Sequence, residues 1–484
     1  MARSKGRDGV LTPDICVLGG GSGGLVVAAA AASFGVDVVL IEKGKMGGDC
    51  LNYGCVPSKA ILASAKHAHA VREGPQFGVH VDGAPRADFA AIHDHIHSVI
   101  GAIAPMDSQE RFEALGVTVL REHARFTDAR TVQAGGHTIR ARRFVVATGS
   151  SPFVPPIPGI EDVDYETNET LFERKTDPGR VAVIGGGPIG LEMAQAHRRL
   201  GCAVTVLEGE RAMGKDDPEL ARIVLERLRG EGIDIREGTR VTKLARGAGG
   251  KGVAVHVERD GQADTVEADT LLVATGRAAN VVDLGLDEAG VEHTRRGVTV
   301  GANLRTSNKR VYAVGDVHGG LQFTHMAGHE AGLVIRALLF RLPVKVDTSI
   351  VPWCTYTDPE LAHVGLTEEQ ARATHGERIS IQRWPYAEND RAQAEHRTEG
   401  LIKVVADRKG RILGATIAGP HAGESIHFWA LAVSKGMKLR DIAGYVAPYP
   451  TLSEVGKRAA TAHFAPMTRK GWVRAIVGFL RKFG

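Results

Sequence analysis

DICVLGGGSGGLVVAAAAASFGVDVVLIE, residues 14–42, carries the pattern that decides the fold. Residues 14–19 read as a short buried strand. Gly19, Gly21 and Gly24 then fit G-x-G-x-x-G, an alanine-rich helix follows, and VDVVLIE reads as a second strand ending at Glu42. The first glycine permits a tight turn, the second lets backbone approach a pyrophosphate, and the third lets helix and strand pack closely. The helix N-terminus then faces the phosphates, and Glu42 stands where an acid bonds a ribose hydroxyl. From Leu25 onward the run is apolar enough to be mistaken for a membrane span. Gly35 and Asp37 divide it into a helix and a strand, so a soluble β-α-β unit is expected.

The arrangement recurs in RVAVIGGGPIGLEMAQAHRRLGCAVTVLE, residues 180–208, with Gly185, Gly187, Gly190 and a terminal Glu208. A carboxylate there accepts bonds from a free 2′-hydroxyl and repels a 2′-phosphate. NADH is therefore expected in preference to NADPH, with Arg211 read as a solvated loop charge. VVATGS (145–150) and LVATGR (272–277) each read as a strand ending in a small-residue turn, where the two nucleotide domains close. Two dinucleotide loops imply two dinucleotides: one an electron source, the other a bound carrier.

At 484 residues the chain is too long for a single core, and several domains are expected. The 60 glycines gather in tight loops rather than repeats, which points to backbone–ligand contact. A net charge of +4 with no basic, aromatic-studded stripe argues against nucleic-acid binding. Five cysteines do not make a disulfide scaffold. The start, MARSKGRDGV, lacks an apolar leader, so a reducing cytoplasm is the expected location. Cys16, Cys202 and Cys354 read as small buried hydrophobes. Cys50 and Cys55 differ, because both lie in the glycine-rich GGDCLNYGCVPSKA, residues 47–60.

Together these motifs resemble the pyridine nucleotide-disulfide oxidoreductases, in the branch holding dihydrolipoamide dehydrogenase, glutathione reductase and mercuric reductase. The likeness runs from about Asp14 to Ala465. It implies an α/β fold of two Rossmann-like dinucleotide-binding domains, for FAD and NAD, plus an α+β C-terminal dimerisation domain. The expected limits are 10–155 with 277–348 for the FAD domain, 156–276 for the NAD(P) domain and 349–468 for the interface domain. VYAVGDVHGG (311–320) is similar to the family's second flavin motif, in which Asp316 bonds the ribityl chain. The resemblance places further flavin contacts at Lys43, Gly48, Lys59, Ala124, Thr148, Gly149 and Thr324, and adds Gly276 to the NAD loop. GLEMA supplies Glu192, which the resemblance pairs with Lys59.

The resemblance also implies that Cys50 and Cys55 form a redox-active disulfide. Cys55 is then the thiolate facing the flavin and Cys50 the interchange thiol. A thiolate needs a nearby cation or helix N-terminus to lower its pKa. VPSKAILASAKHAHA after Cys55 reads as a helix with Pro57 in its first turn, which puts a positive helix end and Lys59 close by. Asp49 departs from the family's usual threonine, and a carboxylate there disfavours the thiolate.

A second departure lies in VAPYPTLSEVGKRAA, residues 446–460. Where the disulfide-reducing members have a histidine before Pro-Thr, this chain has Tyr449, while the following glutamate is kept as Glu454. In the family that histidine is donated by the other subunit, so a homodimer with a shared site is implied. A phenol titrates near 10 rather than near 6.5, which makes Tyr449 a poor base for a dithiol and argues against lipoamide or glutathione as substrate. His325 or His329 would be the substitutes, though their segment is expected to line the flavin. Tyrosine here is similar to mercuric reductase, and a metal ion needs no proton on a leaving thiol. No cysteine pair follows Cys354, so delivery of mercury through such a pair is not expected. The reading is a mercuric-reductase-like enzyme passing electrons from NADH to a metal ion or small oxidant. The alternatives are a dihydrolipoamide dehydrogenase or disulfide reductase, a quinone-reducing diaphorase, and a non-enzymatic flavoprotein scaffold. RKGWVRAIVGFLRKFG (469–484) is a basic amphipathic tail. Packing on its own dimer is the first expectation, and peripheral membrane contact through 472–483 the second.

Overall fold

The computed structural model describes residues 9–83 and 85–483. Most of MARSKGRDGV, on which the leader reading rests, lies outside them. The chain divides into two compact units. The first takes residues up to Gly185, Ala196–Gly209 and Gly238–Val346, and the second takes Gly186–Gln195, Glu210–Glu237 and the residues from Asp347 onward.

In the first unit, strands Val311–Ala313, Arg143–Val146, Ile15–Leu18, Val38–Ile41 and Thr118–Leu120 form one parallel sheet in that order. ICVL and VVLI are buried at every position. They are continuous apolar runs rather than alternating ones because both faces of a parallel sheet are covered. Leu18 pairs with Ile41 and Val146, so Gly19, Glu42 and Ala147 leave the sheet at one end. Helix Ser22–Ser33 packs on helix Thr324–Leu339. A small antiparallel meander follows as Ala124–Asp128, Thr131–Ala134 and His137–Ile139, joined by Val10–Leu11. Phe126 meets Phe144 edge-on at 5.1 Å and locks the meander to the parallel sheet.

A second parallel sheet in the same unit places Arg180–Ile184 between Ala203–Leu207 and Thr270–Val273. Its core continues into the antiparallel strands Arg240–Arg246, Val253–Arg259 and Gln262–Ala268. Cys16 and Cys202 are buried, as read from the sequence.

The second unit holds five antiparallel strands in the order Trp353–Thr355, Glu360–Gly365, Ile412–Gly419, Leu401–Asp407 and Ile379–Pro385. Helices Ala422–Ser434 and Glu454–Ala462 close its core around Trp429. Cys354 is only partly buried, against expectation, because its strand is the edge strand of this sheet. A buried ion cluster fixes the unit internally. Lys403 Nζ lies 2.8 Å from Asp217 Oδ2 and 2.6 Å from Glu219 Oε2, with Lys403 and Asp217 almost wholly enclosed. Lys403→Met leaves the Asp217 carboxylate buried without its cation. We expect a loss of about 3–5 kcal/mol, read as a lower unfolding midpoint of this unit. An unchanged midpoint would show that other donors hold Asp217.

The tail is helical over Gly471–Leu480. Its apolar residues stand in solvent on the single chain, Phe479 and Leu480 each 59% exposed and Phe483 73%. Among the described residues no helix is long and apolar enough to cross a membrane.

Candidate functional site

Helix Ser22–Ser33 starts at Gly21 with no side-chain cap and no acid in its first turn. Its first N–H groups are therefore left for an anion. The glycines around it are sterically required. A Cβ on Gly19 would lie 2.2 Å from Ala147 O, and one on Gly24 1.9 Å from Gly19 O. Gly48, at φ +62°, would drive a Cβ to 2.7 Å from Gly21 Cα. Backbone thus closes on backbone beside the uncapped helix end, a setting suited to an anionic group. Glu42 braces the loops by accepting from Gly20 N at 2.6 Å and Gly44 N at 2.5 Å. Asp316 lies in the turn Gly315–His318 and accepts from Ser150 Oγ at 2.5 Å. Burial pushes its carboxyl up. Buried Glu330 holds that turn by accepting from Gly315 N at 2.7 Å and meeting His318 Nε2 at 2.8 Å. Thr148 and Asn280 exchange bonds, Thr148 Oγ1 to Asn280 O at 2.8 Å and Asn280 Nδ2 to Thr148 O at 3.0 Å. Gly149 at φ +70° has open space over its Cα. Lys43 is exposed, and Ala124 is buried in the meander. The uncapped helix end and the close backbone at Gly19, Gly24 and Gly48 fit the diphosphate of the flavin dinucleotide that the sequence motifs imply.

Gly185 repeats Gly19: at φ +114° its Cβ would meet Ala274 O at 2.3 Å. Gly187 and Gly276 face open space. Gly190 lies in helix Pro188–Arg199 and Glu208 follows strand Ala203–Leu207. Arg211 is exposed and donates to Gly214 O at 3.1 Å.

Cys50 and Cys55 are both free thiols. Cys50 sits in the short helix Gly48–Asn52, and Cys55 opens helix Cys55–Glu73. That position gives Cys55 the positive end of a 19-residue helix. Its sulfur lies 3.3 Å from Thr324 Oγ1. Cys50 donates its S–H to Cys55, Thr324 adds a second bond, and Lys59 a positive charge. Together they push the Cys55 thiol down to about 6, against burial and the Asp49 charge. Cys50 moves the other way, pushed far up by its bond to Cys55 and by burial. The two cysteines are thus driven apart in acidity, Cys55 toward the thiolate and Cys50 toward the thiol.

Asp49, read as an obstacle, is engaged. Its Oδ1 pairs with Arg277 Nη2 at 3.0 Å and accepts from Asn168 Nδ2 at 3.1 Å. Arg277 also donates to Ser150 Oγ at 2.8 Å, which links the thiol loop to the Asp316 turn. Neither Arg277 nor Asn168 was singled out from the sequence. Arg277 ends the quoted LVATGR but lies far along the chain from Asp49. In the reduced enzyme, alkylation of Cys55 by iodoacetamide is expected to rise as pH passes upward through about 6, since only the thiolate reacts. Arg277→Met removes a cation and exposes Asp49, so the rise moves to higher pH. Peptide mapping of the labelled cysteine checks both. Equal profiles for the two proteins would show that the Asp49–Arg277 pair does not tune the thiolate.

The second unit carries the remaining predicted residues. Glu192 is buried and accepts from Tyr356 N at 2.9 Å. Tyr449 is 68% exposed and donates its hydroxyl to Asp390 Oδ2 at 2.9 Å. That bond and the Asp390 charge push the phenol above its usual range. Glu454 begins its helix and pairs with Arg458 at 3.2 Å. Asp390 was not legible beforehand. It lies 59 residues before Tyr449 with no motif around it.

Residues 13–331 match the family model described as pyridine nucleotide-disulphide oxidoreductase, and residues 351–460 match the dimerisation domain of the same family. Mercuric reductase of Staphylococcus aureus is 35% identical over 450 residues, covering 92% of this chain and 82% of that protein. Dihydrolipoyl dehydrogenase of Thermus scotoductus is 35% identical over 461 residues, covering 93% and 97%. Among solved structures, the Cu(II) complex of the HOCl-induced flavoprotein disulfide reductase RclA from Escherichia coli superposes with a TM-score of 0.82 at 27% identity, covering 92% of this chain and 98% of that one.

Proposed function

The chain belongs to the pyridine nucleotide-disulphide oxidoreductase family, and from that premise we propose that it is a cytoplasmic reductase of a thiophilic metal ion, driven by NADH. The family is FAD-dependent and uses a pyridine nucleotide, and its dimerisation domain supports a homodimer. When bound, FAD supplies the relay that carries the nucleotide's two electrons to the thiol pair. The proposal assigns that FAD to the loops at Gly19, Gly21, Gly24, Glu42, Gly48 and Asp316, and NADH to those at Gly185, Gly187, Gly190 and Glu208. The preference for NADH rests on the Glu208 carboxylate, which repels a 2′-phosphate.

Cys55 enters as the thiolate, and Cys50 becomes one when the incoming cation displaces its proton. Both sulfurs then hold the metal, a soft ion suited to thiolate ligands. As the two S–metal bonds break, the sulfurs join in a disulfide and the electron pair passes to the metal, taking it from the +2 state to the element. No proton is moved in that transfer, so no imidazole is needed. The observation that carries this reading is the hydroxyl of Tyr449, held by Asp390 and pushed away from neutral titration. It suits an acceptor that leaves without a proton. The mercuric reductases among the relatives agree with it.

The test is anaerobic NADH oxidation by the flavin-loaded dimer, with Hg(II) in excess thiol against lipoamide, repeated with NADPH. Faster turnover with Hg(II) and NADH supports the reading. Faster turnover with lipoamide would overturn it.

A further inference from the structure

A second cluster of metal-binding side chains lies in the first unit and belongs to none of the motifs above. His93, His97 and Glu173 bring their ligand atoms within 4.8 Å of one another. We propose that they form a site for a first-row divalent cation of the zinc class.

The helix Phe89–Ile103 supplies both histidines. Asp88 caps it by accepting from Ala90 N at 3.0 Å and Ala91 N at 3.1 Å, which fixes the first turn. Residues i and i+4 share one helix face, the spacing by which two imidazoles ligate a single ion. The two rings stand 4.1 Å apart, tilted by 39°. Ile96, buried between them in sequence, anchors this part of the helix. Glu173 comes from the short turn Leu171–Glu173, whose Leu171 and Phe172 are both buried, so its backbone is held against a core.

An ordinary ion pair does not account for the geometry. His97 Nε2 and Glu173 Oε2 are 3.4 Å apart, yet the nitrogen is enclosed and makes no hydrogen bond. An enclosed, unpaired imidazole nitrogen is costly. Two ligands of a tetrahedral zinc stand about 3.3 Å apart, given its usual bond lengths. The His97–Glu173 pair is already at that spacing. His93 meets the Asp94 carboxylate through Nδ1 at 3.0 Å, which leaves Nε2 for the metal. A carboxylate behind a ligating histidine is the usual outer shell of such sites, fixing the tautomer and raising the basicity of the ring. Two imidazoles and one carboxylate favour zinc, cobalt, nickel or copper over magnesium or calcium. Three protein ligands leave one position for water.

The thiol pair binds the same ions, so the test uses the flavin-loaded full-length protein with Cys50→Ser and Cys55→Ser. Titration with Co2+, followed by its visible d–d bands and by competition from Zn2+, is expected to show one equivalent per chain. His97→Ala and Glu173→Gln should each weaken binding at least tenfold and remove the low-coordinate spectrum. Asp94→Asn should weaken it about tenfold while keeping the stoichiometry. His95→Ala, on the exposed face of the same helix, should change nothing. The flavin absorbance of each variant reports that it is folded. Binding that survives both His97→Ala and Glu173→Gln, or no binding below millimolar Co2+, would overturn the site.

Discussion

Cys50→Ser is expected to lower NADH-driven reduction of Hg(II) by at least about 10³-fold, the scale of loss when a covalent catalytic group is removed. A serine hydroxyl neither forms a disulfide nor ionises in the working range, and it is a poor ligand for a soft cation. The serine O–H takes the place of the S–H donor that contributes most to the low pKa of Cys55, so the expected loss comes from the missing electron-donating sulfur. Folding should be spared, since Cys50 is only partly buried and serine is the smaller residue. The control is turnover with a soluble quinone, which takes electrons without the thiols and should remain near the unsubstituted level. Loss of both activities would mean that the flavin is no longer held and the variant says nothing against the dithiol; retention of both would remove Cys50 from the path of electrons and overturn the proposed function.

Most of the fold was legible because its signals are local. A glycine's place in G-x-G-x-x-G is set by a turn, a close backbone approach and a helix seat, all within a few residues of one another. The same holds for Cys55, whose helix is announced by Pro57 and confirmed over Cys55–Glu73. What escaped the sequence joins residues far apart. Asp49 reads as a destabilising neighbour of the thiolate until Arg277 and Asn168 are brought to it by the sheet. Thr324 was read as a flavin contact, and the structure places its hydroxyl against the Cys55 sulfur. The error on Cys354 has the same origin, because an edge strand and a central strand have similar apolar sequences and only strand order tells them apart.

Tyr449→His is expected to raise lipoamide turnover by about 10²–10⁴-fold, the usual worth of a general acid-base group. The surroundings already suit an imidazole. Asp390 Oδ2, which now accepts the phenol O–H at 2.9 Å, would accept an N–H from the new ring and orient it. The negative charge would also hold the imidazolium at higher pH than in water, so the ring is available both to protonate a leaving thiol and to accept a proton in return. The gain should fall on kcat, because the group acts on a proton in flight rather than on the bound substrate. The pH profile should acquire a limb near neutrality that the unsubstituted protein lacks. Reduction of Hg(II), which moves no proton in the electron-transfer step, should change little. Tyr449→Phe should leave both activities nearly as they are, since the hydroxyl is spent on Asp390. A strong loss of lipoamide turnover in Tyr449→Phe would instead make the phenol itself the acid, and the argument for a proton-free acceptor would fall with it.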